Sequence, residues 1–171
     1  MPVIRGEPFE SAISDTHRNA VVEQLIREVS GEVTQNGPVV FEIPLHHSGK
    51  MDVLVVWDAW KPFDSEDRSD MILQAYAADQ DKIALALGVT YEEAIEQQVL
   101  PYAVIPMARR GEADEVELNR LMIAEGAFRL PSGKADLRFP TMALAERAHR
   151  RLSDRLPSGY WSMVQNAASI G

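Results

Sequence analysis

Two adjacent histidines, His46 and His47, are the first residues of this 171-residue chain whose chemistry invites attention, with Glu42, Asp52 and Asp58 flanking them. Neutral imidazole and carboxylate are the usual ligands of zinc, nickel or iron where no thiolate is present. The chain contains no cysteine, which also removes disulfides and thiol nucleophiles from consideration. Successive side chains of a strand point to opposite faces, so both rings reach one ion only if the backbone twists between them. Two readings stand side by side: a metal or acid–base site, or two polar residues of a turn. The turn is the commoner circumstance, and no metal and no cofactor is expected. Ser48 follows His47, but no Gly-x-Ser-x-Gly elbow surrounds it. Gly49-Lys50 and Gly133-Lys134 look like the end of a phosphate loop. That loop needs more glycine, a following Ser or Thr and a helix at the lysine; here Met51 and Ala135 follow, so both read as turns. No His-Glu-x-x-His string and no glycine-rich dinucleotide fingerprint occurs.

Two other groups of residues point to binding rather than catalysis. The loop Asp58-Ala59-Trp60-Lys61-Pro62-Phe63 sets a tryptophan beside proline and phenylalanine. Such an indole either covers the edge of a core or anchors a partner, giving contact area at small entropic cost. Trp60, Asp58, Lys61 and Phe63 are the first candidate binding set. The second lies on a helix starting near Thr141. At about 100° per residue, Ala145, Ala148, Leu152 and Leu156 share one face, and Arg147, Arg150, Arg151 and Arg155 the other, with Asp154 among them. Arg147 and Arg151 could read phosphates or a carboxylate-rich partner. A solvated face is the alternative.

Charge narrows the field. The net charge is −9, with two basic and nine acidic groups in residues 64–98 against seven basic and three acidic in 127–171. A negative field opposes general nucleic-acid binding and leaves RNA or single-stranded DNA only a local opportunity at the C-terminal arginines. The start, Met1-Pro2-Val3-Ile4-Arg5, lacks the apolar run of a signal peptide. No stretch approaches the roughly 18 apolar residues of a membrane span. A soluble, cytoplasmic protein without a membrane partner is expected.

The elements that must position these residues follow from periodicity and breakers. A first helix is predicted from about Thr16 to Ser30, with Val22, Leu25, Ile26 and Val29 inward and Gly31 as its stop. After Asn36-Gly37-Pro38 come strands Val39–Ile43 and Met51–Trp57, paired antiparallel around His46–Lys50. The second is apolar on both faces, as an inner strand is. From Asp64 a helical stretch is predicted to about Gly88, then a capping box Thr90-Tyr91-Glu92-Glu93 opening a further helix. Tyr102–Met107 reads as a strand, with Pro106 at an edge or end. Arg109-Arg110-Gly111-Glu112 marks the expected boundary, giving an αββααβ half (1–110) and an αββαβ half (111–171) within one compact unit. The second half holds a helix from about Asp114 to Glu125, with Val116, Leu118, Leu121, Met122 and Ala124 partly buried and Gly126 ending it. A hairpin around Pro131–Lys134, the Thr141 helix and a last strand Tyr160–Val164 complete it. Ser48-Gly49-Lys50-Met51-Asp52-Val53 and Ser132-Gly133-Lys134-Ala135-Asp136-Leu137 are alike, either a good turn used twice or a trace of tandem αββαβ units.

The first half resembles BolA-like and class II KH-like domains in its element order. Val55-Val56-Trp57-Asp58, then Phe63, then Arg68 opening a helix, is similar to the BolA pattern of strand, phenylalanine loop and helix-opening arginine. The chain departs from both families. It has no GxxG loop, which undercuts KH-type nucleic-acid binding, and Tyr102 stands where BolA has a histidine. The resemblance therefore implies topology, not activity. The fold class expected is α+β, helices on a mostly antiparallel sheet. The function expected is a non-enzymatic binding or adaptor protein, with a protein partner or self-association through strand edges such as Tyr102–Met107 and Tyr160–Val164. The alternative is a small enzyme built on His46, His47 and nearby carboxylates.

Overall fold

The computed structural model describes residues 3–5, 15–29, 37–108 and 114–167. The expected helix stop at Gly31 and the boundary at Arg109–Glu112 lie outside the described residues. The chain is an α+β protein that forms two compact units, Met1–Ala94 and Ile95–Gly171. No helix among the described residues is long and apolar enough to cross a membrane.

The first unit contains β1 (Val3–Arg5), α1 (Asp15–Glu28), β2 (Val39–Pro44), β3 (Met51–Val56), α2 (Ser65–Tyr76) and β4 (Ile83–Val89). Its sheet has the order β1-β2-β3-β4. The predicted hairpin is present: β2 and β3 pair antiparallel from Val39↔Val56 to Pro44↔Met51. Val53 to Val56 are all buried, as both faces of an inner strand should be. β1–β2 and β3–β4 are parallel, so the sheet is mixed. Parallel neighbours need a crossover connection, which α1 and α2 supply. Val21, Val22 and Leu25 of α1 pack into one core with Ile72, Ala75 and Tyr76 of α2, whereas Ile26 points outward.

The helix predicted to reach Gly88 is corrected. Asp64 caps α2 as expected, its Oδ1 accepting the Asp67 N–H at 2.9 Å. The helix ends at Tyr76 because Ala77 turns left-handed at φ 50°. A 3-10 stretch (Ala77–Lys82) leads into β4. Leucine and alanine are strong helix formers in isolation, but Ile83, Leu85, Leu87 and Val89 also alternate at strand period. Pairing with β3, Leu54↔Leu87 and Val56↔Val89, decides between the two. Gly88 must be glycine: a Cβ there would stand 2.9 Å from Arg68 Cβ and 3.1 Å from the Trp60 ring. The capping box forms in front of α3 (Tyr91–Glu96), whose residues span the boundary between units. Glu93 N–H donates to Thr90 Oγ1 at 3.2 Å, and Thr90 N–H to Glu93 Oε2 at 2.9 Å.

The second unit holds β5 (Tyr102–Ala108), α4 (Glu115–Ala124), β6 (Phe128–Arg129), β7 (Ala135–Asp136), β8 (Arg138–Phe139), α5 (Met142–Arg155) and β9 (Tyr160–Asn166). Its antiparallel sheet has the order β8-β5-β9, and β6–β7 form a separate two-stranded ladder. β5 was expected in the first half; its ladder partners place it in the second. Both helices start where expected and each is capped: Asp114 Oδ1 accepts Glu117 N–H at 3.1 Å and Thr141 Oγ1 accepts Leu144 N–H at 3.3 Å. Gly126, at φ 99°, closes α4, sending its N–H to Ile123 O and leading Ala127 N–H to Met122 O, each at 3.0 Å. This is the left-handed glycine stop of a Schellman motif. Leu118, Leu121 and Met122 are buried, while Val116 and Ala124 are exposed.

A tandem repeat is not what relates the units. The β2–β3 hairpin is the centre of a four-stranded sheet, whereas β6–β7 stands outside the β8-β5-β9 sheet. The shared string is a shared turn. Gly49 and Gly133 adopt φ 69° and 84°, and Ser48 and Ser132 Oγ accept the N–H of Lys50 and Lys134 at 3.2 and 3.4 Å. The mixed sheet and this difference between units leave the BolA-like or KH-like topology unconfirmed.

Candidate functional site

Trp60, the centre of the first candidate set, is buried with 0% of its surface exposed. Its indole N–H donates to Val55 O at 3.2 Å, and its ring meets Trp57 and Phe63 edge-on, with centroids 5.5 and 6.4 Å away. The expectation of a partner-facing indole is corrected: the 3-10 turn at Asp58–Trp60 folds the ring back over β3 and β4. Of its companions, Phe63 is half-buried against Trp60 and Lys61 is exposed. Asp58 is exposed and accepts the Tyr91 N–H at 3.2 Å, holding the first turn of α3. Arg68 completes this cluster from within. It is buried, donating Nε–H to Phe63 O at 2.8 Å, Nη1–H to Gly88 O at 3.2 Å, and a forked pair to Glu93. That pair holds the Glu93 carboxyl below its ordinary pKa. The cluster ties loop, helix and strand together, and Arg68 spends its guanidinium on carbonyls and a carboxylate of this chain.

The histidines sit in the β2–β3 turn, both exposed, with His47 at φ 72° and ring centroids 6.4 Å apart. Glu42 is buried in β2, and its charge adds to the burial of Tyr76 itself, the larger cause, in pushing the Tyr76 phenol upward. Among the described residues no three His, Asp or Glu side chains are grouped to hold a metal ion.

The arginine helix is engaged internally. Glu125, at the C-cap of α4, is buried; its carboxylate accepts from Arg151 Nε at 2.8 Å and pairs with Arg155 Nη1 at 3.1 Å. Arg151 thus binds this chain's own carboxylate; Arg147 is half-buried on the same helix. Paired guanidinium forks are what a buried carboxylate requires. Truncating Arg151 to alanine is expected to cost about 1–3 kcal/mol, because one partner of a buried charge is removed. Arg150→Ala, at an exposed position, should cost under about 0.5 kcal/mol. Urea unfolding of both variants measures the difference.

The surface that the sequence underrated is β9. The Val104 N–H donates to Leu137 O at 2.9 Å, so Tyr102, Val104 and Pro106 turn their backbone groups toward β8. Pro106 lacks an N–H but lies past the end of β8, which pairs only with Tyr102 and Ala103. Ala103, Ile105 and Met107 then face β9, and make hydrogen-bonded pairs with Gln165, Met163 and Trp161. Ser162 and Val164, between those, turn their N–H and C=O groups to the other side of β9. No described strand pairs there. On the sheet face opposite α5, Ile105 is half-buried, Met107 is 38% exposed, and Trp161 and Met163 are each 43% exposed. No family model, curated protein or solved structure matches this chain. On the helix side of β9, the buried Ser162 Oγ lies 2.6 Å from His149 Nδ1 and 3.1 Å from Ser153 Oγ. Serine beside histidine is nucleophile chemistry in principle. Here the hydroxyl is closed in between strand and helix and ties α5 to β9. Sequence spacing gave no sign of this pair. The signal for β9 itself was present: a run without charge, proline or glycine around an aromatic residue.

Proposed function

We propose that this chain is a non-enzymatic protein-binding module that captures an extended segment along β9. The observation that carries the reading is an outer edge at Ser162 and Val164 beside half-exposed Trp161, Met163 and Met107. Added strands gain affinity from main-chain hydrogen bonds and specificity from alternate side chains. Edges that are not used are blunted by lysine, proline, bulges or shortness. β9 has seven residues and none of these devices. Arginine-mediated nucleic-acid binding has less support, since Arg151 and Arg155 already hold Glu125. The cytoplasm, whose reducing conditions suit a chain without cysteine, is the proposed setting.

Peptides selected from a displayed library of random decamers supply the test. Val164→Pro removes a donor that faces the outer edge and leaves the β5 ladder its Met163 and Gln165 pairs. Binding is expected to fall by about tenfold or more, about 1.4 kcal/mol, with the fold retained by circular dichroism. Undiminished binding by Val164→Pro, or a library that yields no binder, would overturn the reading.

A further inference from the structure

Building on that edge-binding reading, we infer that the resident partner of β9 is β9 of a second copy, joined antiparallel about a two-fold axis at Met163. A symmetric interface requires a surface complementary to itself, and an antiparallel strand edge is one when its sequence carries nothing that repels its own reverse. Tyr160–Asn166 contains no charged side chain. The chain's −9 does not oppose the contact either, because it resides in the other unit. Residues 1–94 carry 7 basic and 17 acidic groups (−10), and residues 95–171 carry 10 and 9 (+1). An associating surface in the near-neutral unit is where self-attraction meets least Coulombic cost.

Backbone direction fixes the register. Ser162 and Val164 turn outward, so the narrow hydrogen-bonded pairs across the axis join Ser162 of one copy to Val164 of the other. Met163 then faces the other copy's Met163 as a non-hydrogen-bonded pair. This axis sets both outward-facing residues, Ser162 and Val164, against each other; an axis at Ser162 would set Val164 against Tyr160, whose N–H already donates to Pro157 O at 3.1 Å. On the face opposite α5 the Met163 axis sets Met163 against Met163 and each Trp161 against Gln165 of the other copy, across a six-stranded sheet. The half-exposed Trp161 and Met163 gain cover, which is the favourable term such an interface needs.

The absence of cysteine makes the test direct. Cα atoms of a non-hydrogen-bonded antiparallel pair are about 4.5 Å apart, inside the span of about 4.4–6.8 Å that a disulfide bridges. Met163→Cys, the only thiol in its chain, should form a covalent dimer under mild oxidation within minutes. Ser158→Cys, exposed in the turn before β9, should cross-link much more slowly. The unmodified chain should sediment as a dimer at tens of micromolar. Met163→Lys, which sets two ammonium groups face to face at the axis, should sediment as a folded monomer. A monomeric unmodified chain, or a dimer in which Met163→Cys cross-links no faster than Ser158→Cys, overturns the inference. If such a chain still binds displayed peptides and loses them with Val164→Pro, the second copy is wrong and the edge-binding reading stands. If it binds none, both fall.

Discussion

Replacing Trp60 with alanine is expected to cost the first unit about 3–5 kcal/mol, the range for deleting a large, fully buried aromatic side chain. The ring fills the space between β3, β4 and Phe63, and a Cβ on Gly88 would already crowd it. Its removal leaves a cavity and also withdraws the donor to Val55 O. A fall in melting temperature of roughly ten degrees or more should accompany this loss. Trp60→Phe separates the two contributions: it keeps most of the apolar volume and loses the hydrogen bond, and should cost about 1–2 kcal/mol. Thermal and urea unfolding followed by circular dichroism make the comparison. A loss below about 1 kcal/mol for Trp60→Ala would contradict a core role.

Arg68→Met should produce the second large effect, about 2–4 kcal/mol, because it strips donors from two backbone carbonyls and from Glu93 at once. Glu93 is itself about one-third exposed at its side chain, so water re-solvates it in part and the loss stays below that of a fully buried pair. The pair also predicts a pH dependence. Hydrogen bonding from Arg68, the largest cause, lowers the Glu93 pKa on folding. Between its folded and unfolded values the folded state therefore holds fewer protons than the unfolded one. The contribution is complete above the ordinary carboxylate range, near 4.3 for glutamate, and is lost as pH falls through that range toward the folded value. Unfolding free energies from pH 7 down to pH 3 should fall more steeply for the parent chain than for Arg68→Met. Parallel curves would show that the Arg68–Glu93 pair contributes nothing to acid sensitivity.

Much of the local structure is legible in the residues themselves. Asp64, Asp114 and Thr141 cap helices where the string places them, Thr90 and Glu93 exchange both hydrogen bonds, and Gly126 stops α4. The hairpin of Val39–Pro44 with Met51–Val56 was also legible, since two apolar runs flank a short polar turn. Ser-Gly-Lys shows where such reading ends. It specified the same turn twice, but not the sheet each turn would serve.

The sequence by itself therefore determined the α+β class, the helix starts and the tight turns, because those signals act over three or four residues. Tertiary structure decided the rest. Ile83–Val89 satisfies helix propensity and strand alternation equally, and only a parallel neighbour some thirty residues earlier, β3, makes it a strand. Trp60 and Trp161 each stand beside a strand end in the sequence. One is enclosed because Gly88 and Arg68 arrive beneath it, and the other is half-exposed on the sheet face opposite α5. Arg151 reads as a solvated or ligand-binding cation until Glu125, 26 residues away, is brought to it. Burial and strand neighbourhood are sums over distant contacts, and residue type reports only which contacts a side chain can accept.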